Sequence, residues 1–225
     1  MSASDIAACY LEAWTSAAER FSSAFSDLQK AAINIPDGEV HDVLACAYWA
    51  SWEYLRRICK SSRTDLRKTC RIHGPAEDEP SAGSATGFFF EHLVPALVLP
   101  RILSATGAIE VEFNRCGHRR GETIPRRPDI YLRGPTGREV VLELKQSVRR
   151  PTYHNLQDIR ARHKKVGICY LVIGGHLCLG RDALNQLREE KWAAFVDAKD
   201  KATLVGLPTV DDHIRTAVQQ LRGEP

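Results

Sequence analysis

The tetrapeptide Gly134-Pro135-Thr136-Gly137 constrains this chain more than any other four residues. Glycine reaches positive φ at no steric cost and proline presets its own φ, so the segment is a tight turn. Before it, residues 129–133 read Asp-Ile-Tyr-Leu-Arg; after it, residues 140–147 read Val-Val-Leu-Glu-Leu-Lys-Gln-Ser. Two runs of strand-forming residues joined by such a turn predict a hairpin. Residues two apart on a strand share a face, so Glu143 and Lys145 project together with Val141, while Leu142 and Leu144 point the other way. The hairpin brings Asp129 alongside Glu143. Two carboxylates and an ammonium thus converge at one end of a sheet.

The elements around the hairpin follow from periodicity. Apolar residues recur at three- and four-residue steps from Ile6 to Leu28, predicting a helix over 4–30. Pro36 breaks the pattern, and a second helix is expected over 39–60 with an apolar face of Val40, Val43, Leu44, Ala47, Tyr48, Leu55 and Ile58. Trp14, Trp49 and Trp52 are spaced for packing within this helix pair. Residues 73–86 are polar and rich in Gly, Pro and Ser, which predicts a linker. The expected division is a helical region over 1–72, a linker over 73–86 and a core over 87–225. Within the core, 88–104 should be a helix bent or interrupted by Pro95 and Pro100. Residues 109–113 alternate as a half-buried strand, 153–165 form a polar helix, and 166–173 form a strand buried on both faces. Gly174-Gly175 is expected to turn the chain, with 177–179 pairing back. A helix over 181–195, a strand over 202–207 and a helix over 209–221 complete it. Three strands, then a helix and another strand, predict an α/β (α+β) fold: a mixed central sheet flanked by helices, with an N-terminal helical extension.

Net charge is only +3, but its distribution is uneven. From Arg115 to Lys165 there are 14 Lys and Arg against 5 Asp and Glu; the rest of the chain has 17 against 23. A basic quarter on an acidic body is an electrostatic reason to expect a polyanionic partner. The seven cysteines are scattered without a Cys-x-x-Cys pair, so a structural zinc site is not expected, and they read as reduced core residues. No apolar run reaches membrane-spanning length and the N-terminus lacks the pattern of a secretory signal. A cytoplasmic location without membrane association is the default expectation. Phosphate-binding Gly-rich loops, Gly-x-Ser-x-Gly elbows and His-Glu-x-x-His helices are absent from the sequence.

Neighbouring carboxylates repel, and a hard divalent cation relieves the conflict because it prefers oxygen ligands. Cleaving a phosphodiester requires charge stabilisation on the phosphate and an activated water, both of which bound metal supplies. A lysine alongside can orient or deprotonate that water and neutralise developing charge. Pro128-Asp129, thirteen intervening residues, then Glu143-Leu144-Lys145 resembles the PD-(D/E)XK signature of the restriction-endonuclease-like superfamily. The likeness covers about residues 87 to 175 and extends to the element order.

The resemblance implies a restriction-endonuclease-like core and a Mg²⁺-dependent endodeoxyribonuclease, with Mn²⁺ able to substitute. Such an enzyme hydrolyses DNA phosphodiester bonds, as type II restriction and related defence enzymes do. It implies metal on Asp129 and Glu143, the Leu144 carbonyl as a further ligand, and Lys145 serving the attacking water. Many members place another carboxylate on the leading helix. Glu91 occupies that place, where an apolar setting would make an unpaired charge costly; the alternative is a surface carboxylate. Some members carry a Gln followed four residues later by Tyr after the motif, but Gln157 is followed by Ala161. Candidate phosphate contacts are Arg119, Arg120, Arg126, Arg127, Arg149, Arg150, Arg160, Arg162, Lys164 and Lys165, which give affinity without sequence readout. His118 and His163 are possible additions. Tyr153, His154 and Asn155 are expected to start the helix rather than to touch DNA.

Cutting both strands with one site per chain is easiest as a homodimer. A cognate methyltransferase or another defence-system protein is a conceivable partner. The alternatives are a nucleic-acid-binding protein on the same fold without cleavage, an RNA-directed or activator-gated nuclease, and an interaction protein built on the Trp-rich helices.

Overall fold

The computed structural model describes residues 30–49, 82–107, 110–113, 118–119, 122–123, 128–198 and 200–224. All but residue 30 of the expected helix over 4–30, residues 50–60 of the second expected helix with Leu55 and Ile58, most of the linker, and Trp14 and Trp52 lie outside them. The chain divides into two compact units, Met1–Pro100 and Arg101–Pro225.

In the first unit, residues 40–49 are helical and Val40, Val43, Leu44, Ala47 and Tyr48 are buried, as their spacing predicts. Trp49 is 46% exposed, contrary to the expected core role, because it falls past the edge of that stripe. Cys46 is also exposed rather than core. Helix α1 (Ala82–Thr106) begins inside the segment expected as a linker and crosses from the first unit into the second. Pro95 and Pro100 lie within it without ending it. Burial of Leu93, Val94, Leu97, Val98 and Leu99 offsets the backbone bonds the prolines forgo. The Tyr48 ring packs edge-on against Phe90 at 5.5 Å between centroids.

The second unit is an α/β structure built on a mixed five-stranded open sheet flanked by helices. Its strands are β1 (Glu110–Phe113), β4 (Ile130–Arg133), β5 (Glu139–Val148), β6 (Cys169–Leu177) and β7 (Ala193–Ala198), in that spatial order. The strands β2 (His118–Arg119) and β3 (Glu122–Thr123) form a separate ribbon. The pairs β1–β4 and β4–β5 are antiparallel, while β5–β6 and β6–β7 are parallel. Helix α2 (Arg150–Lys165) connects β5 to β6 and helix α3 (Arg181–Glu190) connects β6 to β7, as parallel neighbours require. Both cover one face: Tyr153, Leu156 and Ile159 of α2 and Leu184 and Leu187 of α3 share a core with Tyr131, Val141, Tyr170, Val172 and Phe195. Helix α4 (Val210–Arg222) packs against β5, β6 and β7, and none of its buried side chains belongs to that core, so it covers the other face. Thr209 and Asp212 close its N-terminus as a capping box.

Three expectations need correction. Gly174 and Gly175 lie within β6 instead of turning the chain. A Cβ on Gly174 would collide with the Phe195 ring, so glycine here admits close packing across the strands. The helix expected over 181–195 stops at Glu190, where Lys191 takes a left-handed conformation (φ 53°), and the following residues form β7, buried along its whole length. The strand expected over 202–207 is a short 3₁₀ turn, Lys201–Leu204, capped by Asp200. Among the described residues no helix is long and apolar enough to cross a membrane.

Candidate active site

The predicted hairpin is present, with Ile130 opposite Leu142 and Leu132 opposite Val140. One further step along this register sets Asp129, just before β4, opposite Glu143. Strand alternation puts Val141, Glu143 and Lys145 on the α2/α3 side of the sheet.

Lys145 Nζ lies 2.7 Å from Glu143 Oε1 and 3.5 Å from Asp129 Oδ2, and donates to the Leu144 carbonyl at 3.1 Å. The three oxygens that the resemblance names as metal ligands therefore surround one cationic nitrogen. Asp129 is fixed by its backbone context as well: the Leu144 N–H donates to its Oδ2 at 2.7 Å. A short charge-assisted bond of this kind locks the carboxylate's rotamer. The Glu143 side chain is 6% exposed, that of Asp129 18% and that of Lys145 23%. The buried Glu143 carboxylate and the partly buried Asp129 carboxylate both draw on the charge of this ammonium. The donor set is two carboxylates and a carbonyl, all hard oxygen, and it suits Mg²⁺ or Mn²⁺ better than a soft metal. Among the described residues no group of three His, Cys, Asp or Glu side chains is placed to hold a metal, so the centre has two carboxylates.

Glu91 is exposed on α1 in the first unit. The burial cost that pointed to a metal contact at Glu91 is therefore absent.

The basic residues separate into distinct groups. Arg119 lies in β2, and Arg120, Arg126 and Arg127 fall outside the described residues. Arg149 and Arg150 are exposed at the start of α2, and Arg162, Lys164 and Lys165 at its end, about 22 Å away at 1.5 Å per residue. The last group also complements the helix dipole. Arg160 is engaged within the fold: its guanidinium pairs with Glu190 and lies 5.3 Å from the centroid of the Trp192 ring. His163 is buried, edge-on to Tyr170 at 5.0 Å, and burial lowers its pKa to about 4, with Arg162 adding to the shift. It is a core residue, not a phosphate contact. Tyr153 is buried and does open α2, while His154 and Asn155 are exposed there. Gln157 donates to Tyr153 Oη at 3.1 Å and to Gln186 Oε1 at 2.8 Å, tying α2 to α3. A cavity of about 410 Å³ opens beside this link, and Arg150, His154 and Arg181 line it together with Asp182. Cys169 is partly buried, and burial raises its thiol pKa to about 11. Cys178 is exposed rather than core.

Sequence reasoning missed one pair on the same sheet. His176 Nδ1 lies 3.1 Å from Asp197 Oδ2, where β6 and β7 place the two residues opposite each other. The available signal was a polar residue inside each of two otherwise apolar runs.

No protein-family model matches the chain, and no curated protein is significantly similar to it.

Proposed function

We propose that the second unit is a divalent-metal-dependent nuclease of restriction-endonuclease-like fold, with Asp129, Glu143 and Lys145 at its centre and DNA as substrate. One observation carries this reading: Asp129 Oδ2, Glu143 Oε1 and the Leu144 carbonyl all lie within 3.5 Å of one cation, the Lys145 ammonium. The mixed sheet, the hairpin and the helix-then-strand continuation after the motif are compatible with that fold. Exposed Arg and Lys at both ends of α2 offer phosphate contacts to a polyanion.

Asp129 and Glu143 would hold Mg²⁺ with the Leu144 carbonyl, and the bound ion would supply Lewis-acid stabilisation of the phosphate and of an attacking water. The Leu144 N–H keeps Asp129 aimed at the centre. Lys145 supplies positive charge for the pentacovalent transition state and orients the water between itself and the phosphate. Because each chain contributes one such centre, cutting both strands suits a two-fold dimer.

The closure of Lys145 onto both carboxylates favours a second reading, a nucleic-acid-binding protein that does not cut. Incubation with supercoiled plasmid and with linear DNA, in Mg²⁺, in Mn²⁺ and in EDTA, separates the two. Metal-dependent cleavage that disappears in Lys145→Ala supports the nuclease. A folded protein that binds DNA but cleaves neither DNA nor RNA in either metal refutes it.

A further inference from the structure

The cavity of about 410 Å³ is lined by the starts of α2 and α3, and no residue of the candidate centre contributes to it. Its size falls within the range of about 300–1,000 Å³ usual for small-molecule sites. Arg150, Tyr153, His154 and Gln157 line one side, at steps of three and four along a single face of α2. Arg181, Asp182, Ala183 and Gln186 of α3 line the other, with Leu179 just before them.

The charged part of the lining fits a phosphate. Arg150 and Arg181 are the first residues of their helices, and both are exposed. Among the described residues neither guanidinium is paired with a carboxylate, whereas Arg160 further along α2 is committed to Glu190 and Trp192. A free guanidinium presents a planar fork of N–H donors that matches phosphate oxygens. His154, exposed one turn after Arg150, adds a ring N–H. Neither helix start carries a side-chain cap, so first-turn N–H groups add donors at the same end. Two arginines against the one carboxylate of Asp182 leave a net charge of +1 when His154 is neutral. That balance suits a single phosphate rather than a chain of them.

The remainder of the lining fits a nucleoside. Gln157 Nε2 donates to Tyr153 Oη and to Gln186 Oε1, and Tyr153 Oη donates to Gln186 Oε1 at 2.9 Å, so the two helices are tied together at the cavity. Among the described residues no donor reaches Gln157 Oε1, which leaves it to accept an N–H or O–H from a base or sugar. Leu179 and Ala183 are half-buried and pack against the core. They give the cavity an apolar wall that a base covers and a bare phosphate does not.

We propose that this cavity is a binding site for a nucleoside monophosphate, separate from the candidate metal centre and independent of whether that centre cuts DNA. The phosphate lies between Arg150 and Arg181, the base lies against Leu179 and Ala183, and Gln157 Oε1 accepts from the base or sugar. The same chemical group arrives either as a free nucleotide or as the phosphorylated end of a DNA strand.

Calorimetric titration of dAMP and of TMP into the full-length protein in EDTA tests the site, with deoxyadenosine and inorganic phosphate as the separate halves of the ligand. The wild type should bind at least one nucleotide, and each half roughly tenfold or more weakly. Arg150→Ala/Arg181→Ala should weaken nucleotide binding by roughly tenfold or more with an unchanged unfolding midpoint. Arg162→Ala, about 18 Å further along α2, should leave it unchanged. A second arm compares binding of single-stranded DNA with a phosphorylated or a hydroxyl 5′ end. A preference for the phosphorylated strand that the double variant loses supports the site and identifies a strand end as the source. Nucleotide binding without that preference supports the site and identifies the free nucleotide. Nucleotide binding that the folded double variant retains overturns the proposal, as does inorganic phosphate binding as tightly as either nucleotide. A folded wild type that binds neither nucleotide and does not distinguish the two strands overturns it as well, and none of these results bears on cleavage at the candidate centre.

Discussion

The carboxylate of Glu143 lies 2.7 Å from the ammonium of Lys145, two residues further along the same strand, and only 6% of the Glu143 side chain is exposed. The carboxylate half of this ion pair is thus buried and the ammonium half is not. Its geometry is that of a cation site whose cation is supplied by the chain itself.

Removing the ammonium alone should therefore cost stability. Lys145→Met leaves two carboxylates facing each other, and urea unfolding should show a loss of about 1–3 kcal/mol, toward the low end because Lys145 is partly solvated. The double variant Glu143→Gln/Lys145→Met should lose less than the sum of the single losses. Strict additivity would mean that the two side chains do not interact.

Acid should weaken the second unit through two buried imidazoles. Burial holds both His163 and His213 near pKa 4 against an ordinary 6.5. Above pH 6.5 folded and unfolded states are both neutral at these sites and neither contributes. As pH falls from about 6.5 to 4 the unfolded chain takes up protons that the folded one refuses, so stability falls by on the order of 3 kcal/mol per histidine. Denaturant midpoints at pH 7 and pH 4.5 measure the slope, and His163→Gln with His213→Gln should flatten it.

Gly174 should not tolerate a side chain. A Cβ there meets the Phe195 ring, and Gly174→Ala is expected to cost about 1–3 kcal/mol through overpacking. Gly174→Ala/Phe195→Leu should recover part of that loss, as thermal unfolding would register.

The basic residues of α2 should divide by function. Arg162→Ala, Lys164→Ala and Lys165→Ala should each lower the slope of log Kobs for DNA against log salt by about 1. Arg160→Ala should leave that slope unchanged and instead lose on the order of 1 kcal/mol of stability, because its guanidinium is committed to Glu190 and Trp192. Equal slopes for all four variants would remove the distinction.

The hairpin was legible because its turn residues and strand alternation specify register locally, and with register came the meeting of Asp129, Glu143 and Lys145. Strand β7 was not, because Ala193, Ala194 and Ala198 suit a helix as readily as a strand and Lys191 ends α3 without a glycine. Gly174-Gly175 carries the signal of a turn, yet the reason for glycine at 174 is a ring on the neighbouring strand, information that is not local. His176 and Asp197 lie 21 positions apart in sequence on two different strands, so their pairing required the parallel register. The exposure of Trp49 and Glu91 depends on where an apolar stripe ends, which composition alone does not mark.

The central claim is that Asp129, Glu143 and the Leu144 carbonyl form a divalent-cation centre. Calorimetric titration of Mn²⁺ into the wild-type protein, Asp129→Asn and Glu143→Gln tests it without reference to substrate. The account predicts one site in the wild type that is lost or at least tenfold weaker in both folded variants. No binding by the wild type, or equal binding in all three proteins, would contradict it.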